Sequence, residues 1–341
     1  MVEIDFQRVL EIGRQKGASD VHILQDEFLT YRINGKIVKD ENFKITKKDT
    51  DFIVSELLNE SKREKFKKEK ELDIAYENNN KNRYRINLHY QKGSVGISIR
   101  ILKDEIMTID NLNLPIVVKK MIENRNGLVL VSGATGSGKS TTLAAMVEEI
   151  NKMKNLNIVT IEDPIEYVFQ SKNSIVRQRE IGADTNSFKN ALKSVLRQDP
   201  DVILIGEMRD LESIEMAITV AETGHLVLGT LHTIGAIECI DRIIDAFPKE
   251  KQNQVRLQIS NVLRGVINQQ LISGVDGKIV LACEILINTP AVANYILSGK
   301  TNQISSIIES NQKLGMISMR KYVENLYKDG KISEEEYIRA Q

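Results

Sequence analysis

The sequence predicts an α/β protein in two parts, a small α+β domain and a larger domain in which a parallel sheet is covered by helices. In residues 1–102, short runs of alternating apolar and polar residues are separated by turn signals, which is typical of an antiparallel sheet. Residues 103–112 are polar and aperiodic and are expected to link the two parts. In residues 113–341, bare apolar runs alternate with helical spacing, which indicates parallel strands buried on both faces.

The elements of the first domain follow from apolar spacing. In chain order they are a helix at 6–13, strands at 21–24, 28–33 and 36–38, a helix at 46–59, a charged helix at 61–71, and strands at 72–76, 83–90 and 97–102. Asn34 and Gly35, between the second and third strands, are a strong hairpin signal. Because Glu64, Glu69 and Glu71 alternate with lysines, the charged helix is expected to be a solvated surface rather than a nucleic-acid site.

Three arginines of the first domain, Arg83, Arg85 and Arg100, lie in or beside its alternating strands. Arginines exposed on strands are common, and this is the simpler interpretation. The alternative is that some of them reach a bound phosphate, because a planar guanidinium matches the geometry of phosphate oxygens. The sequence pattern leaves both interpretations open.

The second domain is organised around residues 128–141. Four apolar residues run directly into a G-x-x-x-x-G-K-S loop that begins at Gly133, and a helix-compatible run follows. The glycines let backbone N–H groups hold phosphate oxygens, and the next helix adds its positive N-terminal end. We therefore predict a nucleotide site with Lys139 at the β- and γ-phosphates and the Ser140 hydroxyl on Mg²⁺. The expected binding residues are Ala134, Thr135, Gly136, Ser137, Gly138, Lys139, Ser140 and Thr141.

Two further strands end in carboxylates at the same edge of the predicted sheet. The first leads to Glu162 and Asp163, where α/β sheets bind ligands, although a polar exit from a strand is also common. The second delivers Glu207, which can hold Mg²⁺ directly or through water, or polarise the water that attacks the γ-phosphate. Because Gly206 and a glutamate stand where such a strand ordinarily ends in aspartate, the water-activating role is favoured.

Two of the chain's four histidines bracket the next strand. A single histidine is usually structural, but two at the ends of one strand beside a nucleotide sheet favour a functional role. His232, at the C-terminal end, is placed to sense the γ-phosphate, whereas His225 fits a subunit contact better. The remaining elements are expected to be a helix at 211–221, a long helix at 249–271, strands within 278–287 around Cys283, helices at 291–297, 301–309 and 319–327, and a last helix beginning at Ser333.

Composition limits the classes of protein that the chain can represent. Lysine plus arginine equals aspartate plus glutamate at 47 each, so net charge gives no sign of a nucleic-acid partner. The two cysteines lie far apart, which excludes a cysteine zinc site and a disulfide framework. The first residues lack a signal-peptide pattern, and no apolar run approaches the ~20 residues that span a bilayer. We therefore expect a cytoplasmic protein with no integral membrane segment.

The combined motifs resemble those of the secretion and type IV pilus motor ATPases, over nearly the whole chain. Residues 133–141 resemble the family's Walker A motif, and residues 161–166 resemble its aspartate box. Residues 199–210 are similar to its Walker B segment, and residues 221–233 to its histidine box. Residues 17–22 match the signature of the family's first domain.

This resemblance implies a PAS-like N-terminal domain, a RecA-like ATPase domain with a helical C-terminal tail, a homo-hexameric ring, and ATP held between the two domains. The roles that it implies are metal ligation by Ser140 with Glu162 and Asp163 in support, activation of water by Glu207, sensing of the γ-phosphate by His232, and positive charge from Arg85 or Arg100. It also implies work on a pilin fibre through an inner-membrane platform protein, from a position at the inner face of the membrane.

Within the family, the chain is most similar to the pilus-retraction ATPases. It lacks the additional N-terminal domain and the four-cysteine zinc module of the assembly ATPases, which favours the retraction branch. The chain departs from the family pattern at two places. Lys92 occupies the position of a family arginine, and a lysine cannot make the bidentate phosphate contact of that arginine. Residues 291–298 lack both arginines and the glutamate of a motif tied to retraction, which stands against the retraction branch.

Three alternatives remain. An assembly or competence-pilus ATPase is the nearest, and the altered 291–298 stretch also fits a regulatory ring that hydrolyses ATP negligibly. A DNA-translocating ATPase is weaker, because the chain shows no pattern of aromatic and basic residues along a groove.

Overall fold

The computed structural model describes residues 5–33, 35–102 and 105–340, which fall into two compact units whose boundary in the sequence lies between Glu105 and Ile106. Asn34 of the predicted hairpin turn and residues 103–104 of the predicted linker lie outside the described residues. Residues 106–112 belong to the second unit, where Ile109 is fully buried in the core. The isolated apolar residues of this polar stretch therefore pack into the core of the second unit.

The first unit is an antiparallel sheet with three helices. Its elements are α1 (Phe6–Gln15), β1 (Ala18–Leu24), β2 (Phe28–Ile33), β3 (Lys36–Lys44), α2 (Lys47–Leu57), α3 (Glu60–Glu69), β4 (Glu71–Glu77), β5 (Arg83–Gln91) and β6 (Ser94–Ile101). The six strands lie in the order β3-β2-β1-β6-β5-β4. In α3 the only buried residue among those described is Phe66, so the charged run forms a solvated helix as predicted.

The second unit is a seven-stranded sheet between helices. Its strands are β7 (Gly127–Ser132), β8 (Asn157–Glu162), β9 (Ile175–Glu180), β10 (Val202–Ile205), β11 (Leu226–Leu231), β12 (Leu263–Ser273) and β13 (Ile279–Ile287). Its helices are α4 (Val117–Glu123), α5 (Lys139–Met153), α6 (Phe188–Val195), α7 (Leu211–Glu222), α8 (Ala236–Asp245), α9 (Lys249–Val262), α10 (Pro290–Leu297), α11 (Ile304–Ser310), α12 (Met319–Lys328) and α13 (Glu334–Arg339).

Strand order brings the predicted site residues to one edge of this sheet. The order is β13-β12-β7-β11-β10-β8-β9, and every neighbouring pair is parallel except β12 with β13. On β7, Leu128 and Leu130 enter one hydrophobic core while Val129 and Val131 enter the other, so both faces of the sheet are covered. The C-terminal ends of β7, β8, β10 and β11 therefore meet at one edge, where α/β sheets bind ligands.

The long helix predicted at residues 249–271 is wrong. Helix α9 ends at Val262, and β12 follows directly, paired with β7 on one side and β13 on the other. The polar residues Asn268 and Gln269 fit the exposed side of a helix, but they are 4% and 2% exposed. Pairing with β7 and β13 thus decides the conformation of this segment, and the local spacing of apolar residues does not show that pairing.

No helix among the described ranges is both long enough and apolar enough to cross a bilayer.

Candidate active site

The loop between β7 and α5 has a backbone that its glycines make possible. Gly133, Gly136 and Gly138 have φ angles of +145°, +80° and +85°, which side chains strongly disfavour. A Cβ atom at Gly133 would lie 2.3 Å from the backbone oxygen of Gln269, whereas at Gly136 it would meet no atom within 4 Å. The loop is therefore pressed against β12 at its start and open at its middle.

Lys139, at the start of α5, is a buried cation without a carboxylate partner. Its Nζ donates hydrogen bonds to the carbonyls of Gly133 and Ala134, both at 2.9 Å, and no ion pair joins it to any described residue. Burial lowers the pKa of Lys139, and the nearby charges of Glu207 and Glu166 oppose that shift. A buried ammonium with no carboxylate partner fits an anion such as a phosphate group.

Glu207 and His232 lie beside this lysine. His232 Nε2 is 3.0 Å from Glu207 Oε1, and its Nδ1 is 3.4 Å from both Lys139 Nζ and Thr135 Oγ1. Arg209 Nε lies 2.7 Å from the same Glu207 oxygen. The structure therefore brings together Thr135, Lys139, Glu207 and His232, which come from three strand ends.

Opposing effects set the charge of Glu207. Partial burial raises the pKa of this carboxyl, but the hydrogen bond from Arg209 and the charges of His232, Arg209 and Lys139 outweigh it. The net result is a pKa below the ordinary value for glutamate, so Glu207 is ionised at neutral pH.

The predicted metal ligands occupy the same sheet edge. Ser140, on the first turn of α5, is half-buried, and its hydroxyl makes no hydrogen bond within the described chain. Glu162 Oε1 accepts hydrogen bonds from Thr160 Oγ1 at 2.6 Å and Gln178 Nε2 at 3.1 Å, and burial raises the pKa of its carboxyl. Hydroxyl and carboxyl oxygens are the donors that Mg²⁺ prefers, so the donor set fits this ion.

Other predicted residues are placed differently. Asp163 is exposed and adds its negative charge near Arg209. Ser137 is buried, with its Oγ unpartnered, and Thr141 shares a hydrogen bond with the Tyr167 hydroxyl at 2.8 Å. The side chain of Thr141 is thus occupied by Tyr167.

The two predicted arginines form a pair within the first unit. Arg85 on β5 lies directly opposite Arg100 on β6. Arg100 Nε is 3.1 Å from Asp20 Oδ1, and Arg85 Nε is 3.8 Å from Asp73 Oδ1. Like charges directly opposite on neighbouring strands repel, and the two aspartates offset this. The nucleotide contact predicted for these arginines stays a prediction.

Sequence reasoning missed two residues of β12 that support the nucleotide loop. Asn268 Nδ2 donates to Ser132 Oγ at 2.9 Å and to the Thr233 carbonyl at 3.0 Å. Gln269 Nε2 donates to the Ser137 carbonyl at 2.6 Å. Their spacing predicts a helix, which does not place them beside the loop. The β-branched Val266 and Ile267 just before them are the local signal for a strand.

Comparison with known proteins identifies the family. The family described as Type II/IV secretion system protein matches residues 1–283. The chain belongs to this family. It is 41% identical to the type IV pilus retractation ATPase PilT of Pseudomonas aeruginosa, over 97% of this chain and 96% of that protein. It is 44% identical to a twitching motility protein of Neisseria gonorrhoeae, over 83% and 76% of the two chains.

The solved structures agree with this assignment. The crystal structure of the pilus retraction motor PilT with bound ADP has a TM-score of 0.94 and 42% identity, covering 99% of this chain and 97% of that one. The ATPase DotB of Legionella pneumophila has a TM-score of 0.84 and 28% identity, covering 99% and 96%. The predicted family and α/β fold class are confirmed, and this secretion-family member is an ATP hydrolase.

Proposed function

We propose that this secretion-family ATPase is a Mg²⁺-dependent motor of the type IV pilus system, which drives pilus retraction as a homo-hexameric ring. The observation that carries the proposal is the series of contacts from Lys139 through His232 to Glu207 at the C-terminal ends of the parallel strands. Two relatives, which match 97% and 83% of this chain, are named for pilus retraction and twitching motility.

Binding of ATP is assigned to the loop of residues 133–141. On phosphate binding, the Lys139 ammonium exchanges its carbonyl contacts for the β- and γ-phosphate oxygens, which removes the cost of a buried unpaired cation. Ser140 would hold Mg²⁺, with Glu162 and Asp163 supporting the water around it. When bound, this ion would supply positive charge to the phosphate oxygens.

Glu207 orients the attacking water and accepts its proton. Because its carboxylate is ionised, it is ready to accept a hydrogen bond from water. His232, with its Nε2 toward Glu207 and its Nδ1 toward Lys139, reports whether a γ-phosphate is present. Arg85 and Arg100 supply positive charge to the transition state, as arginines do in other phosphoryl transfers.

The partners proposed for the ring are an inner-membrane platform protein and, through it, the pilin fibre. Helix α10 bears on the direction of movement, because it spans the stretch that departs from the retraction motif. Its core residues Val292 and Ile296 are buried. Of the three residues that replace charged ones, Leu297 and Ser298 are exposed and Ala293 is half-buried. The departure thus changes a surface and leaves the nucleotide site unchanged. A regulatory ring or an assembly motor is the competing function, because either would be expected to differ from a retraction motor in residues 291–298.

Glu207→Gln separates a motor from a regulatory ring. For a motor, we expect phosphate release to fall at least about 100-fold, because a general base contributes on the order of 10²–10⁴. Binding of a fluorescent ADP analogue should remain, and twitching of a complemented retraction-deficient strain should be lost. Glu212→Gln, an exposed glutamate on α7, is the control. Normal twitching with hydrolysis-dead Glu207→Gln would instead support the regulatory ring.

A further inference from the structure

The backbone of the loop that carries His232 is fixed by contacts with other elements. It runs from His232 to Gly235 and leads directly into α8, whose N-cap Gly235 offers no side-chain cap. Gly235 has a φ of +115°, and Ile234 is 80% exposed. The backbone contacts that fix this loop come from another element.

Two side chains from the β12–β13 pair supply the anchors. Asn268 Nδ2 donates to the Thr233 carbonyl at 3.0 Å, and Glu284 Oε1 accepts from the Ala236 backbone N–H at 2.7 Å. Asn268 and Glu284 are directly opposite each other in the antiparallel register. Directly opposed side chains share one face of a sheet, so this cross-strand pair makes hydrogen bonds near both ends of the loop.

Each anchor has a second contact. Asn268 also donates to Ser132 Oγ, where β7 enters the phosphate loop. Glu284 lies on β13 beside the start of α12: its neighbour Ile285 exchanges backbone hydrogen bonds with Ile317 at 2.8 and 3.2 Å. Burial raises the pKa of the Glu284 carboxyl, and the backbone N–H groups of Ala236 and Met319 oppose that shift. The carboxyl thus caps α8 and faces the N-terminal end of α12, where negative charge is favoured.

The neighbouring cross-strand pair repeats this connection on the opposite face. Gln269 faces Cys283 in the register and holds the Ser137 carbonyl of the phosphate loop. Cys283 and Tyr322 of α12 pack in the same hydrophobic core, and the Tyr322 hydroxyl donates to the Asn113 carbonyl at 3.1 Å. The β12–β13 pair therefore contacts the nucleotide loops through Asn268, Gln269 and Glu284, and contacts α12 through β13.

We propose that Glu284 is a positioning residue that fixes His232 beside Lys139 and Glu207 and ties that position to the position of α12. The inference rests on the proposed function and deepens it, because it names how the C-terminal helices connect to hydrolysis. A displacement of α12 pulls on Glu284, shifts the start of α8, and lengthens the 3.0 Å contact between His232 and Glu207. By linkage, nucleotide that holds His232 also stabilises α12.

A double-mutant cycle on ATP turnover tests the first half. We expect Glu284→Ala to lower kcat about tenfold while the Kd for ADP changes less than about twofold, because Lys139 and its loop are intact. In a His232→Ala background, the same substitution should cause no further loss, since its effect passes through His232. Glu284→Gln, which keeps one acceptor oxygen, should recover most of kcat and guards against misfolding of the alanine variant. Glu309→Gln, on an exposed face of α11, is the control.

Hydrogen exchange of α12 tests the second half. In the wild type, a non-hydrolysable ATP analogue should slow exchange in Met319–Lys328, and Glu284→Ala should abolish this protection while that of the phosphate loop persists. Multiplicative losses in the double mutant, or unchanged α12 protection in Glu284→Ala, would overturn the inference. A wild type that binds ATP without hydrolysing it would instead overturn the proposed function.

Discussion

At the scale of single residues, the two oxygens of Glu207 have different surroundings. Oε1 lies 2.7 Å from Arg209 Nε and 3.0 Å from His232 Nε2, while the second oxygen contacts no donor within the described chain. The crowded oxygen fixes the carboxylate, and the other is left to bind water. When His232 is neutral and donates from Nε2, its Nδ1 can accept a hydrogen bond from Lys139 or Thr135.

Arg209→Gln should move the acidic limb of the pH profile to higher pH. The hydrogen bond and charge of Arg209 favour the ionised form of Glu207 and hold its pKa below the ordinary value. Removing the charge raises that pKa, so Glu207 becomes protonated, and inactive as a base, at a higher pH. The measurement is kcat/KM of both proteins from neutral pH downward, because this ratio reports groups of the free enzyme.

Arg209→Lys is the control for this shift, because it keeps the charge and should move the acidic limb less. A limb that stays in place in Arg209→Gln, or moves to lower pH, would contradict the assignment of Glu207 as the base.

At the scale of secondary-structure elements, β12 supports the phosphate loop. The Nε2 of Gln269 donates to the Ser137 carbonyl at 2.6 Å, and the Gln269 backbone oxygen lies where a side chain at Gly133 would be. The loop thus rests on a strand that is itself paired on both sides. Its shape is therefore set by the sheet as well as by its own glycines.

Gln269→Leu should weaken nucleotide binding. It leaves the buried Ser137 carbonyl without its donor, which costs about 1–3 kcal/mol. Because the nucleotide binds only the correctly shaped loop, we expect this cost to raise the Kd for ADP, about tenfold for every 1.4 kcal/mol. Titration with a fluorescent ADP analogue measures the change.

Gln270→Leu is a matched control one residue away, because Gln270 Nε2 is buried without a hydrogen-bond partner. We expect it to bind ADP about as well as the wild type does. Equal weakening in both variants would mean that the strand as a whole, rather than the Gln269 bond, supports the loop.

The elements also show how far sequence can predict this fold and site. The loop at 133–141 and the ends of β8, β10 and β11 were predictable because each is written in a short, continuous pattern. Strand β12 was not, because its place depends on β7 and β13, far away in sequence. Asn268 and Gln269 were missed for the same reason. Glu284 lies in a strand that the sequence predicts, but its contact with Ala236, far away in sequence, is not visible there. Arg209 was inside a recognised motif, but only its distance to Glu207 reveals its effect on that carboxylate.

At the scale of the whole molecule, the candidate residues are divided between two units. Lys139, Glu207 and His232 belong to the second unit, whereas Arg85 and Arg100 lie on the sheet of the first. If both arginines take part in hydrolysis, turnover depends on how units are arranged in the working assembly. A ring motor would therefore hydrolyse ATP only when assembled, and a simple monomeric ATPase would not show this dependence.

The most direct test is steady-state phosphate release measured on size-resolved protein, with mass determined by light scattering and Lys139→Ala as the blank. We predict turnover in the species with the mass of six chains, little in the monomer, and none in the blank at any size. Equal release by wild type and blank, despite ATP binding by the wild type, would contradict a motor. Full turnover by the monomer would contradict the ring.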